Sequence, residues 1–292
     1  MPGCGLYTFL ESQFSNDNFG STIAEIKLRL SYPNNRIVIV EGFSDYIVLS
    51  NLFDSKIHVL QPYCKGNAEK IMGQIDYSHK NIIAILDRDY DPLSSDDRIF
   101  YYDFCNLEMM LVHNDELFEN FCNGAVSSKS AIEYRDFVLK QLKPLSALRL
   151  FNSMSKTTGC KEFSALKAVG TLSNCLLLPN DCLIWYIRNY FVSNVSNPNL
   201  CPKEVRKIIT EFGKQLSSLL SRDAYTFTNG HDFNDLFVRL LPNSLCISPT
   251  CAGNSIYNYY KAGFVQKVFQ KTSLYTSIKQ HETITGERFL SS

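Results

Sequence analysis

The order of apolar patterns along this 292-residue chain predicts an α/β protein: a mostly parallel sheet with flanking helices, followed by a mainly helical C-terminal half. Three observations carry this prediction. Two unbroken β-branched runs, at 36–40 (RIVIV) and 81–86 (NIIAIL), have the character of strands buried on both faces. Helical patterns separate these runs, and right-handed crossovers then make the sheet mostly parallel. Beyond about residue 128 the apolar residues fall at helical spacing, as in 131–141, 181–192 and 203–220.

Taken in order, residues 22–31 read as a helix that stops at the turn cluster Tyr32-Pro33-Asn34-Asn35. The first strand spans 36–40, and a helix over 45–52 follows with Ser44 as its expected N-cap. A short strand at 57–61 leads through Cys64-Lys65-Gly66-Asn67 into a helix over about 68–76. The third strand is 81–86, a polar loop runs through Asp97, a fourth strand covers 99–102, and a helix begins at 106–112. The Asn/Ser/Pro stretch at 193–202 reads as a loop. The expected division is a helical lead-in at 1–33, a catalytic domain at 34–125, and a mainly helical domain for substrate or partner contact at 126–292.

Composition narrows the function classes. No apolar run reaches the roughly 20 residues a membrane span needs, so no membrane association is expected. The opening MPGCGLYTFLESQF lacks a basic region followed by a long apolar stretch, and a cytoplasmic location is expected. Ten scattered cysteines form no CxxC pair, which argues for reduced thiols and against a zinc site. Net charge is zero, but its distribution is uneven. Residues 1–120 hold 18 acidic and 9 basic side chains, and residues 121–292 hold 11 and 20. An acidic half joined to a basic half suits a metal site beside a surface that meets phosphates; two ordinary compensating surfaces explain it as well.

Two acidic motifs directly follow the two β-branched runs: Glu41-Gly42-Phe43-Ser44-Asp45 and Asp87-Arg88-Asp89-Tyr90-Asp91. Open parallel sheets bind ligands just beyond the carboxyl ends of their strands. Gly42 permits a sharp turn there, and Asp45 enters the next helix. In Asp87-x-Asp89, an extended backbone points both carboxylates to one side. Asp91 stands one alternation further, but it precedes Pro92 and suits a turn. Carboxylates so gathered repel one another unless a cation lies among them, and hard oxygen ligands suit Mg2+ or Mn2+. Either motif alone has an ordinary explanation as a cap or turn. Their conjunction at one sheet edge favours chemistry.

The pattern EGxxD after one strand and DxD after a later one resembles the TOPRIM domain, shared by topoisomerases, primases and the OLD family of nucleases. The resemblance covers about residues 34–112. It implies that Glu41 acts in acid–base chemistry or metal binding, and that Asp45, Asp87 and Asp89 bind the metal. A narrower resemblance spans nearly the whole chain. The run 104–111 (FCNLEMML) is similar to a box that follows the DxD loop in a group of bacterial TOPRIM effectors, which makes Glu108 a further catalytic candidate. The usual Asn after that glutamate is Met109 here. Asn229-Gly230-His231-Asp232-Phe233 resembles a later box of the same group, which includes the toxin subunit of PARIS-type anti-phage systems. That likeness implies a nuclease acting on RNA, notably tRNA, and held silent by an ABC-type ATPase partner. The released chain is then expected to self-associate as a homodimer.

The remaining singled-out residues carry two readings each. Lys65 precedes a helix, where backbone N–H groups favour phosphate, although turn chemistry also explains it. His231 suits a phosphate contact or proton donation, while Asp232 beside it suits a helix cap. Lys203, Arg206, Lys207 and Lys214 lie at helical spacing and track either a nucleic-acid backbone or solvent. Rival functions are a catalytically silent TOPRIM scaffold and a DNA-directed OLD-like nuclease. A topoisomerase or primase needs domains for which 292 residues leave little room. A receiver-type domain would need a lysine after a late strand, and none is evident.

Overall fold

Four parallel strands form the sheet: β1 (Arg36–Val40), β2 (Ile57–Leu60), β3 (Ile82–Leu86) and β4 (Ile99–Tyr101), in the spatial order β2-β1-β3-β4. The α/β class read from the sequence is therefore present, with every strand pair parallel. The computed structural model describes residues 19–90, 93–122, 128–154, 202–240 and 260–291. The helix expected over 181–192, most of the loop expected over 193–202, and Asp91 lie outside the described residues. Among the described residues, no helix is long and apolar enough to cross a membrane.

The chain divides into two compact units. The first comprises residues 1–87, 93–103 and 254–292, and the second 88–92 and 104–253. This differs from the expected boundary at 125/126. The last forty or so residues belong with the sheet rather than with the helical half, and the DxD stretch splits after Asp87.

In the sheet unit, Val38 and Val40 point to one face of the central strands, and Ile37 and Ile39 to the other. All four are fully buried, as are Ile82 to Leu86. Helix α1 (Phe19–Leu30) contributes Ile23, Ile26 and Leu30 to the face of Ile37 and Ile39. Helix α3 (Lys65–Gln74) adds Ala68, Ile71 and Met72 to the same cluster. Each such Ile, Leu or Met side chain removed from water contributes about 1.5–3 kcal/mol. The end of α3 is fastened by Arg98, which is 2 % exposed. Its guanidinium donates to the carbonyls of Met72, Ile75, Asp76 and His79 and pairs with Asp96 at 2.7 Å. Burial pushes the Asp96 carboxyl up, but its hydrogen bonds with Arg98 outweigh that and hold it below the usual carboxylate range.

Side-chain capping explains why the C-terminal segment belongs to this unit. Asp103, just past β4, accepts the backbone N–H groups of Ser273 and Leu274 at 2.8 Å each, satisfying the first turn of the C-terminal helix Ser273–Thr285. Buried Glu282 in that helix accepts the N–H groups of Phe289 and Leu290 at 2.7 and 2.8 Å. Gly286, left-handed at φ 77, reverses the chain so that this is possible. The tail then pairs with the other end of the unit, where Asp54 N–H donates to Phe289 O and Ser291 N–H to Leu52 O.

Among the described residues, the second unit is helical. It contains α4 (Leu107–His113), α5 (Asp115–Cys122), α6 (Ser128–Met154), α7 (Pro202–Leu220) and α8 (Gly230–Leu240). Phe233 and Phe237 stack and Phe118 meets both edge-on, with ring centroids 5.5–6.1 Å apart. Arg135 ties α6 to α4 and α5 through Val112 O at 3.1 Å and Asp115 at 2.6 Å.

Candidate functional site

Parallel strands deliver their next residues to one edge. Glu41 follows β1, Gln61 follows β2, Asp87 follows β3 and Tyr102 follows β4. Val40 stands opposite Ile85 and Leu86 opposite Tyr101, so Asp87 and Tyr102 are level and Glu41 sits one residue behind. The chain leaves β1 for β2 on one side and returns past it to β3 on the other. The β1–β3 gap is therefore the switch point of this sheet, where α/β proteins bind ligands.

Glu41 and Asp87 flank that gap and are half-buried. The Asp87 N–H donates to Glu41 Oε2 at 3.4 Å. Asp45 is different, at 5 % exposed. It lies in the first turn of α2 (Phe43–Leu49), and the helix cap is Gly42 rather than the expected Ser44. Extended Gly42 cannot cap with a side chain, so the carboxylate three residues on reaches back. Asp45 Oδ2 accepts Gly42 N–H at 3.1 Å and Ser44 Oγ–H at 3.3 Å. Its other oxygen, Oδ1, accepts the hydroxyl of Tyr102, which is fully buried. Burial, together with the charges of Asp45, Asp87 and Glu41, pushes this phenol well above its ordinary range. Tyr102 is thus a permanent donor among three carboxylates. Tyr102 is not legible in the sequence as a site residue, although it obeys the same end-of-strand rule as Glu41 and Asp87. A tyrosine there reads as core.

The DxD expectation needs correction. Strand β3 ends at Leu86, and Asp89 is left-handed at φ 48 in a turn, a conformation that Asp tolerates better than most residues. Its N–H donates to Cys105 O at 2.9 Å. The alternation expected of an extended Asp87-x-Asp89 is therefore broken, and Asp89 belongs with the helical unit. Among the described residues, no three His, Cys, Asp or Glu side chains are arranged to hold a metal ion. The turning of Asp45 toward Tyr102 and Gly42 is one physical reason. Mg2+ needs no closed cage, however. It commonly binds one or two carboxylates, retains waters and completes its shell with substrate phosphate. The pair Glu41 and Asp87 fits that donor set.

The helical unit holds a second polar cluster. Glu108, in the first turn of α4, is 3 % exposed. Gly230 opens α8 against it, and a Cβ there would lie 2.4 Å from Glu108 Cβ and 2.7 Å from Oε2. Only glycine permits this approach. His231 follows, with Nδ1 3.6 Å from Glu108 Oε1 and most of its ring exposed. The α8 N-terminus is already capped, since Asn229 Oδ1 accepts the N–H groups of His231 and Asp232 at 3.0 and 3.3 Å. Asp232 is therefore not the cap expected of it. It pairs instead with Arg149 of α6 at 2.6 Å. Burial pushes the Asp232 carboxyl up, and Arg149 pulls it part of the way back. Tyr90 donates from its hydroxyl to Phe227 O at 3.0 Å, which anchors the turn that carries Asp89.

Lys65 and Gly66 lie inside the first turn of α3 rather than before it, and Cys64 at the N-cap makes no side-chain cap. Lys203, Lys207 and Lys214 all fall on α7. Compared with known proteins, the chain matches no protein-family model and no curated protein.

Proposed function

We propose that the chain is a divalent-metal-dependent endonuclease that cleaves nucleic acid, with Glu41 and Asp87 at the centre of its site. The observation that carries this reading is the pair of carboxylates on adjacent parallel strands at the switch point of the sheet. When bound, Mg2+ or Mn2+ would offset charge developing on the scissile phosphate and lower the pKa of an attacking water. Glu41 and Asp87 would hold the ion. The resemblance supports Glu108 as a further catalytic candidate, and the side-chain chemistry of Lys65 and His231 supports phosphate contacts. The same resemblance supports RNA, notably tRNA, over DNA. It also supports an effector of anti-phage defence silenced by an ABC-type ATPase; the scattered cysteines favour a cytoplasmic location, and self-association once released would bring two acidic sites to one folded RNA.

The deciding experiment incubates the purified full chain with tRNA or with duplex DNA, in Mg2+ or in EDTA. Cleavage of tRNA that needs Mg2+ and vanishes in Glu41→Gln and Asp87→Asn is the expected result. Cleavage that survives thorough chelation would overturn the metal-dependent reading. A silent scaffold is the second reading, favoured by the lack of a three-ligand set among the described residues. It predicts no cleavage of either substrate while the fold stays intact.

A further inference from the structure

We infer that Asp45 is a positioning residue rather than a metal ligand, and that Tyr102 is its partner in aiming Glu41. The inference rests on the proposed site, but its geometry lies wholly within the sheet unit. Both oxygens of Asp45 already accept protein donors, Tyr102 on one side and Gly42 N–H with Ser44 on the other. An inner-sphere metal would have to displace one of the two donors on Oδ2 or share Oδ1 with the Tyr102 hydroxyl. The bond to Gly42 matters most, because Gly42 is the residue directly after Glu41. A carboxylate that holds this N–H fixes the turn at the end of β1, and with it the direction in which Glu41 leaves the strand. Tyr102 stands at the end of β4, level with Asp87, and is fully buried. Its hydroxyl thereby links the turn after β1 to the strand beyond β3. Supporting groups of this kind orient first ligands and act on a metal without touching it.

The roles separate under conservative substitution. Asp45→Asn keeps an acceptor for Gly42 N–H but loses the charge, whereas Asp45→Ala loses both. Mn2+ alone, titrated into the full chain and followed by its electron spin resonance, reads inner-sphere loss. Asp87→Asn should weaken Mn2+ uptake more than about 100-fold, and Asp45→Asn or Tyr102→Phe by no more than about tenfold, the low end of outer-shell effects. Loss of uptake in a folded Asp45→Asn protein as complete as in Asp87→Asn overturns the inference. A wild-type chain that takes up no Mn2+ removes the metal reading instead. The inference is then decided by hydrogen exchange at the Gly42 amide. That amide should stay protected in wild type and Asp45→Asn, and exchange about tenfold faster in Asp45→Ala, the loss of one net hydrogen bond. Equal exchange in Asp45→Ala and wild type overturns it.

Discussion

Asp45 in the sheet unit and Asp232 in the helical unit are buried to the same degree, each 5 % exposed, yet they are stabilised in opposite ways. Asp45 is held by a phenol, a hydroxyl and a backbone amide. Asp232 is held by the guanidinium of Arg149. Neutral donors satisfy a carboxylate without cancelling its charge, whereas an arginine does both. The first arrangement keeps negative potential at a strand edge, beside Glu41 and Asp87. The second converts a buried acid into a strut between α6 and α8. Equal burial therefore does not mean equal role. The chemistry of the partner separates an acid that keeps its charge uncancelled from one that joins helices.

The largest effect should come from the sheet edge. Asp87→Asn or Glu41→Gln is expected to lower tRNA cleavage by at least about 10³-fold, the several kcal/mol of charge stabilisation that a bound metal supplies. Melting temperature should stay near wild type, because both side chains are half-buried at the edge rather than part of the core. Full cleavage in either variant would place the chemistry elsewhere.

Arg149→Ala should then be the most destabilising change at either buried acid, costing about 3–5 kcal/mol in urea unfolding because Asp232 is left buried without its counter-charge. Tyr102→Phe should cost about 1.5–3 kcal/mol, one hydrogen bond to a charged group among several on Asp45. Gly230→Ala comes next at about 1–3 kcal/mol, since the added methyl must displace Glu108 or tilt α8. If Tyr102→Phe destabilised the chain as much as Arg149→Ala, the distinction between the two acids would collapse.

The smallest effect lies in the pH dependence. The folded pKa of Asp96 is depressed, so its contribution to stability is complete above the unfolded carboxylate range and is lost as pH falls through the folded value. The folded pKa of Asp232 is raised, so its contribution is complete below that range and is lost as pH rises through the folded value. Asp96→Asn and Asp232→Asn should therefore tilt stability-against-pH curves in opposite senses between about pH 3 and 7. Urea midpoints at intervals across that window would show it, and parallel curves would contradict the two assignments.

Strands were the most legible feature of the sequence. RIVIV and NIIAIL announce two-face burial directly, and β1 and β3 fall where these runs lie. Element ends were less legible. The helix expected from residue 68 begins at Lys65, and α2 starts at Phe43 under a Gly42 cap, because capping depends on backbone angles that residue type only biases. Glu41 and Asp87 could be placed at one edge from the sequence, since parallel strands leave their next residues on the same side. Asp89 could not be. The extended alternation that would align it with Asp87 ends at Leu86, and a bond from its own N–H to Cys105 O helps fix its turn.

The sequence by itself determined the α/β class, the parallel sheet and the pair of acids at its carboxyl edge, because each follows from local periodicity and chain direction. Only the tertiary structure decided which acids face outward, that Tyr102 holds Asp45, that Arg149 holds Asp232, and that the C-terminal helix completes the sheet unit. These pairings join residues 57, 83 and 170 positions apart. No local pattern encodes a contact at such separation, because the partner is selected by what folding brings beside a buried charge that needs a donor.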